Sequence, residues 1–243
     1  PTGYGRIVRD MLGRLQRIVE QKDATLDERQ IDEINTGVYA FDAAFLREGL
    51  SALTSANAQG EFYLTDLIAM ASEKISDDAS LPTLQIPFEE ALGVNSRVQL
   101  AEAGQLLRAQ ILHYWMEQGV TMADPATTYI DATVHMEQDV TLGAHVSLRG
   151  CTSLASHVFI DAGCIITDSQ IAQGAHLHAY TICEDAVVGT DSNVGPFARL
   201  RPGAELKSKA KAGNFVEIKK AILGEGAKVN HLAYIGDADI GAG

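Results

Sequence analysis

Arg201 and Lys219 stand eighteen residues apart, and each follows an aliphatic residue, Leu200 or Ile218, by one position. Between them Leu200, Leu206, Ala212 and Ile218 return every sixth residue. If three such steps close one coil, residues eighteen apart hold equivalent places on successive coils. Arg201 then lies directly over Lys219 on an outward face, at the inter-strand spacing of about 4.8 Å. Two cations stacked so closely repel unless something anionic faces them. A phosphate suits them, with arginine supplying a bidentate fork and lysine a point charge. The step from Ile218 to Leu223 is five residues, so the next offset is seventeen, which sets Tyr234 over Glu217 and His231 over Asn214. Glu217 shares the strand face of Lys219, two residues away. The patch thus joins an anion site to an imidazole, the side-chain type that exchanges protons near neutral pH. The plain alternative is that outward charges on a repeat are solvated surface. On that reading His231 is a turn residue, as are His135, His145, His157, His176 and His178.

The elements that must position this patch come from a ladder running the length of the second half. Its rungs are Ile130, Met136, Leu142, Leu148, Leu154, Ile160 and Ile166, then Ile171 and Leu177 after a slip to five. A second slip at Ile182 leads to Val188, Val194, Leu200, Leu206, Ala212 and Ile218, followed by Leu223, Val229, Ile235 and Ile240. A period of six fits neither an amphipathic helix nor an alternating strand, and fixed-period self-similarity marks a solenoid. A small or apolar residue recurs four places after many rungs, as at Val134, Val146, Val158, Ala175, Ala198, Ala210 and Ala227. The pattern predicts a hexapeptide-repeat β-helix with inward rungs and parallel strands pairing from coil to coil.

Before the ladder the texture changes. Residues 5 to 20 read as two short strands around a turn from Asp10 to Gly13, and Glu33 to Phe41 as a strand that becomes buried. Phe45 to Leu53 has helical spacing, and Thr65 or Asp66 could cap a helix through Leu67, Ile68 and Met70. Strands alternating with helices indicate an α/β unit. Val98, Leu100, Ala103, Leu106, Leu107, Ile111, Tyr114 and Trp115 form a helical stripe. The expected organisation is an α/β region over 1–96, a linker helix within 97–125 and an all-β β-helix over 126–243.

Composition bounds the possible partners. At 243 residues and 46% hydrophobic, the chain can form one large or two modest cores. No apolar run approaches membrane-spanning length and no signal-like segment opens the chain, so a cytoplasmic protein without membrane insertion is expected. The formal charge of −13 excludes a nucleic-acid partner that needs a basic surface. Cys151, Cys164 and Cys183 lack metal-ligand spacing and read as reduced packing residues.

Several motifs occur in a fixed order across both regions. They are Pro1-Thr-Gly-Tyr-Gly-Arg-Ile7, Ile18-Val-Glu20 with Lys22-Asp-Ala24, Glu33-Ile-Asn-Thr-Gly37, Asn57-Ala-Gln-Gly-Glu61 and Gly93-Val-Asn95. In the ladder follow Gly195-Pro-Phe-Ala-Arg-Leu-Arg-Pro-Gly-Ala204, Gly213-Asn-Phe-Val-Glu-Ile-Lys-Lys220 and His231-Leu-Ala-Tyr-Ile-Gly-Asp-Ala238. Together they resemble the bifunctional bacterial N-acetylglucosamine-1-phosphate uridylyltransferase / glucosamine-1-phosphate N-acetyltransferase family over nearly the whole chain. The resemblance implies a left-handed β-helix and a homotrimer. It gives His231 the role of general base on the 2-amino group of glucosamine 1-phosphate, with acetyl-CoA as acetyl donor, and Arg201, Lys219 and Tyr234 the role of sugar-phosphate contacts. Glu217 would assist the histidine or balance charge. In the uridylyltransferase half the resemblance implies that Gly5, Glu20, Asn35 and Asn95 bind the nucleotide sugar. It also makes Asn95 a ligand of the Mg²⁺ needed when the sugar phosphate attacks the α-phosphorus of UTP.

Departures from the family pattern carry expectations too. The family's glycine-rich nucleotide loop, phosphate-binding lysine and metal-binding aspartate should precede Pro1. The family also continues past Gly243 for coils that hold most of its acetyl-CoA site, so the chain reads as an excerpt incomplete for both reactions. The ending Ile240-Gly-Ala-Gly243 resembles a motif one hexad farther on, which would put six missing residues between Asp239 and Ile240 and make Ala242 an acetyl-CoA contact. Two other readings stay open: a different sugar nucleotidyltransferase whose β-helix is regulatory or structural, and a non-catalytic trimerising scaffold.

Overall fold

Asp10 reverses the chain by accepting the backbone N–H groups of Leu12 and Arg14, at 2.9 Å each, while Gly13 takes the left-handed conformation. The turn joins two antiparallel strands, β1 (Arg6–Arg9) and β2 (Leu15–Val19). These belong to the first of two compact units, Pro1–Gly93 and Val94–Gly243; the computed structural model describes residues 2–76 and 79–243. Helix α1 (Ala43–Ala52) is capped by Asp42, whose carboxylate accepts from the N–H groups of Ala44 and Phe45. Helix α2 (Asp66–Lys74) begins after Thr65, but that hydroxyl donates to Glu20 Oε1 at 3.1 Å and does not cap. Ile68 of α2 packs with Leu15 and Ile18 of β2. The strand expected over Glu33 to Phe41 is absent. One bridge links Ile34 to Arg6, and Val38 is 84% exposed. The reason is local, because Asn35 Oδ1 accepts the N–H of Gly37 at 3.0 Å and Gly37 is left-handed, so a turn competes with the ladder.

In the second unit, Ser96 caps α3 (Arg97–Glu117) through Gln99 N–H. The expected apolar stripe is not buried along its length. Leu112 and Trp115 are covered, whereas Val98, Leu100, Leu107 and Tyr114 are exposed. Only the C-terminal half of α3 meets the first coil, where the Trp115 ring meets His135 edge-on and Arg108 lies 4.6 Å over Tyr129.

The coils form three parallel sheets of seven strands each, and each inner strand pairs with those one coil below and above. We call them face 1 (rungs Leu142, Ile160, Leu177, Val194, Ala212), face 2 (Leu148, Ile166, Cys183, Leu200, Ile218) and face 3 (Leu154, Ile171, Val188, Leu206, Leu223). All of these rungs are buried in one continuous core. The ladder expectation is corrected at one place. Cys183, not Ile182, is the inward residue, paired with Ile166 below and Leu200 above. All five-residue steps therefore fall at the corner from face 2 to face 3, where Asp168, Asp185, Lys220 and Asp237 are left-handed. The step from Ile235 to Ile240 is of this kind and seats Ile240 over Leu223.

Cys164 and Cys183 pack in the core as expected, but Cys151 is exposed at a corner. Burial pushes the Cys164 thiol up to about 11 and the Cys183 thiol higher still. His135 and His176 lie on strands and His178 directly after one, so the expectation of turns holds for none of these three; His145 and His157 do occupy left-handed corners. Among the described residues no helix is long and apolar enough to cross a membrane.

Candidate functional site

The sequence offsets translate directly into strand pairing on face 2. Arg199 sits under Glu217 and Glu217 under Tyr234, while Leu200, Ile218 and Ile235 stack inward between the two outward rows. Arg201 donates its backbone N–H to Ile218 O at 2.8 Å and so lies beneath Lys219, which in turn pairs with Gly236. A Cβ on Gly236 would come within 2.4 Å of the Tyr234 hydroxyl. Glycine there lets the phenol lean across the column of Arg201 and Lys219. At the neighbouring corner His231 stands over Asn214, held by the N–H of Leu232 donating to Asn214 O at 3.1 Å. Gly213, just before Asn214, is required by the close stacking of these coils: a Cβ there would lie 1.6 Å from Asn230 O.

The side chains differ from expectation in one respect. The Arg201 guanidinium turns toward the Glu217 carboxylate, Nη1 to Oε1 at 3.0 Å, rather than standing free above Lys219. Two cations against one carboxylate leave one net positive charge. Among the described residues no hydrogen bond or ion pair engages the side chains of Lys219 or His231, and His231 and Tyr234 are exposed. The group can receive an anion from solvent and present an imidazole beside it. Sequence reasoning missed the aromatic column at the same corner, Tyr180 on Phe197 on Phe215, with rings 5.1 and 5.3 Å apart and nearly parallel. Their spacings of seventeen and eighteen were the available signal. All three are left-handed and partly exposed, forming an apolar wall below Leu232.

The other expected residues divide between the units. Gly5 is buried against β2, where a Cβ would meet Ile18 Cγ2 at 3.1 Å, and its carbonyl accepts the Asn35 N–H at 2.9 Å. Asn35 Oδ1 also accepts from the Tyr39 hydroxyl at 2.8 Å and lines a mostly apolar cavity of about 470 Å³ with Ile7, Tyr39 and Phe45. Glu20 directly follows β2 and is held by Thr65. Asn95 belongs to the second unit, is exposed, and has its N–H bound by Gln99 Oε1 at 2.7 Å. Ala242 is exposed and stacks over Gly224, where a Cβ would meet its nitrogen at 2.6 Å.

Comparison with known proteins connects both units to one family. The chain is 48% identical over 242 residues to the bifunctional protein GlmU of Marinobacter nauticus, covering 99% of this chain and 53% of that protein. It is 49% identical over all 243 residues to the bifunctional protein GlmU of Anaeromyxobacter sp. strain Fw109-5, covering 49% of it. Over its whole length the chain is similar to the GlmU proteins. It spans about half the length of the curated relatives it matches. No protein-family model matches it. Similar solved structures include a hexapeptide transferase family protein from Anaplasma phagocytophilum (16% identity, TM-score 0.40, covering 51% of this chain and 81% of that one). Another is PerB from Caulobacter crescentus in complex with CoA and GDP-perosamine (15% identity, TM-score 0.38, covering 51% and 59%).

Proposed function

We propose that this chain carries the sugar-phosphate side of an N-acetyltransferase site, in which Arg201, Lys219 and Tyr234 bind glucosamine 1-phosphate and His231 is the general base. The observation that carries this reading is the column in which Arg201 lies under Lys219 with the Tyr234 hydroxyl leaning across it. An anchored phosphate fixes the sugar so that its 2-amino group reaches the imidazole one corner away. His231 takes a proton from the ammonium, because a protonated amine has no lone pair. The nitrogen attacks the thioester carbonyl of acetyl-CoA, the C–N bond forms, the C–S bond breaks, and the departing CoA thiolate takes up a proton. The 3.0 Å pair with Arg201 favours charge balance as the role of Glu217 over direct assistance to His231. Ala242 would touch the acetyl-CoA.

On the same reading the complete protein is a cytoplasmic homotrimer that also transfers UMP from UTP to the acetylated sugar phosphate, giving UDP-N-acetylglucosamine. Gly5, Glu20, Asn35 and Asn95 would contact the nucleotide sugar. Among the described residues no set of oxygen ligands for Mg²⁺ converges on Asn95. Asn95 brings one neutral oxygen, and among the described residues the only converging group of three His, Cys, Asp or Glu ligands contains two imidazoles, whereas Mg²⁺ requires oxygen ligands.

The test uses the full-length protein with glucosamine 1-phosphate and acetyl-CoA, following release of free CoA thiol. The wild type should turn over, and His231→Ala should lose about 10²- to 10⁴-fold, the range for a general base, with the uridylyl reaction retained. Absence of thiol release from the wild type would sink the proposal. Equal loss of both activities in the variant would assign His231 to folding and not to catalysis.

A further inference from the structure

Three side chains on face 1 converge from the two coils directly below the one that carries Arg201. His176 Nε2 lies 3.1 Å and His178 Nδ1 3.3 Å from the same atom, Asp161 Oδ2. The imidazole centroids are 3.9 Å apart. Register explains the convergence. Leu177 points inward, so the residues on either side of it, His176 and His178, point outward together. Asp161 follows the inward Ile160, which pairs with Leu177, and so comes beneath His178. The backbone at each place is tied into the sheet: Asp161 N–H donates to Leu177 O at 2.8 Å and His178 N–H to Val194 O at 2.7 Å. In the same outward row the next residues are Gly143 below and Gly195 above, whose N–H groups bond Ile160 O and Ala212 O. Neither neighbour brings a side chain to the cluster. The edge of Phe159 against His176, centroids 4.9 Å apart, limits how that ring can turn.

We propose that Asp161, His176 and His178 form a binding site for a divalent ion of the zinc class, with solvent as the fourth ligand. Zinc bonds of about 2.0–2.1 Å in a tetrahedron place neighbouring ligand atoms about 3.3–3.4 Å apart. The observed separations of 3.1 and 3.3 Å are close to that edge, so the ligands are preorganised before an ion arrives. A pure hydrogen-bond account directs two imidazole nitrogens at one carboxylate oxygen; an ion between them satisfies all three groups at once. Two imidazoles with one carboxylate select zinc, cobalt or nickel over Mg²⁺ or Ca²⁺. The groups are about one-third exposed, which leaves the ion an entry path and the fourth position in contact with water.

The experiment takes the tag-free chain, strips it with a chelator and titrates it with Co²⁺ and then Zn²⁺. One equivalent of Co²⁺ should give the visible absorption of a four-coordinate site, and Zn²⁺ should abolish it. Zn²⁺ should also raise the melting temperature of the wild type, by binding linkage. His176→Ala, His178→Ala and Asp161→Asn should each weaken uptake by at least about tenfold, as loss of one ligand or its close support does, while Cys151→Ser leaves it unchanged. Asp161→Asn keeps the size and polarity of the native side chain and so tests the ligand without emptying the cluster. Absence of saturable uptake by the wild type, or uptake undiminished in the double variant His176→Ala/His178→Ala, overturns the proposal.

Discussion

In the coils an inward rung returns at each step of five or six residues and joins one dry column from Leu142 to Leu223, whereas residues 1–93 gather a few side chains around a two-stranded sheet. Among the described residues the first unit buries Leu15, Ile18, Val19, Ala24, Leu67 and Ile68, yet leaves Val38, Phe62 and Leu84 mostly exposed. The difference concerns placement as much as stability. In a solenoid, position along the sequence becomes height on a face, and each coil repeats the measure of the last. That is why Arg201, Lys219 and Tyr234 could be set together by counting. The first unit has no such measure, and Gly5 and Asn35 meet only through a backbone bond across irregular chain.

The largest effect that would test this contrast is thiol protection. All three cysteines lie in the coils, so labelling reports on the β-helix alone. In the native chain Cys151 should react at once. Cys164, with its pKa raised to about 11 by burial, holds only about one thiolate in 10³ at pH 8 and has no access to reagent. Cys183 is more deeply buried still, so both should wait for the coils to open. If Cys164 labelled as fast as Cys151, the dry column would not be a stable core. The sign of the linked pH dependence follows: a thiol kept neutral by the fold adds stability below its ordinary value near 9, and that contribution is lost as pH rises toward 11.

Leu200→Ala comes next. It removes a fully buried rung from face 2 and should cost about 2–5 kcal/mol, seen as a lower denaturant midpoint with earlier exposure of Cys164. Val38→Ser in the first unit alters an exposed side chain and should stay within about 0.5 kcal/mol. Comparable losses in the two variants would mean that residues 1–93 bury more than their six core residues indicate.

How much was legible beforehand follows the same division. The ladder could be read because an inward residue must be apolar and its neighbours need not be. The one misplaced rung, Ile182 for Cys183, arose because a cysteine serves as a core residue while an isoleucine occupies the half-buried outward place beside it. The pairing of Arg201 with Glu217 was not legible, since register fixes Cα positions and leaves long side chains free to choose partners. Nor was the cluster of Asp161 with His176 and His178, because its members come together only across a seventeen-residue coil. In the first unit the β1–β2 turn was legible from Asp10 and Gly13, whereas the strand expected over Glu33 to Phe41 gave way to the turn that Asn35 forms with Gly37.

The smallest effect separates the units by acid. Three carboxylates of the first unit are held below their usual range, each by hydrogen bonds to a folded partner. Glu33 is lowered by Arg9, whose Nε donates at 2.7 Å; Asp10 by the backbone N–H of Arg14; and Glu28 by the N–H of Thr25 and then by Arg17. A depressed carboxylate stabilises the fold above its unfolded pKa, near 4 to 4.5, and that contribution disappears as pH falls through the folded value. Asp66 opposes the trend, since burial raises it. All these groups remain partly exposed, so screening keeps the net effect small. Between about pH 4.5 and 3, amide exchange in β1 and β2 should therefore accelerate, while the fluorescence of Trp115, which is buried in the second unit, stays level. A change in Trp115 emission that precedes exchange in β1 and β2 would reverse the order, and would show that the coils rather than the first unit depend on ionised carboxylates.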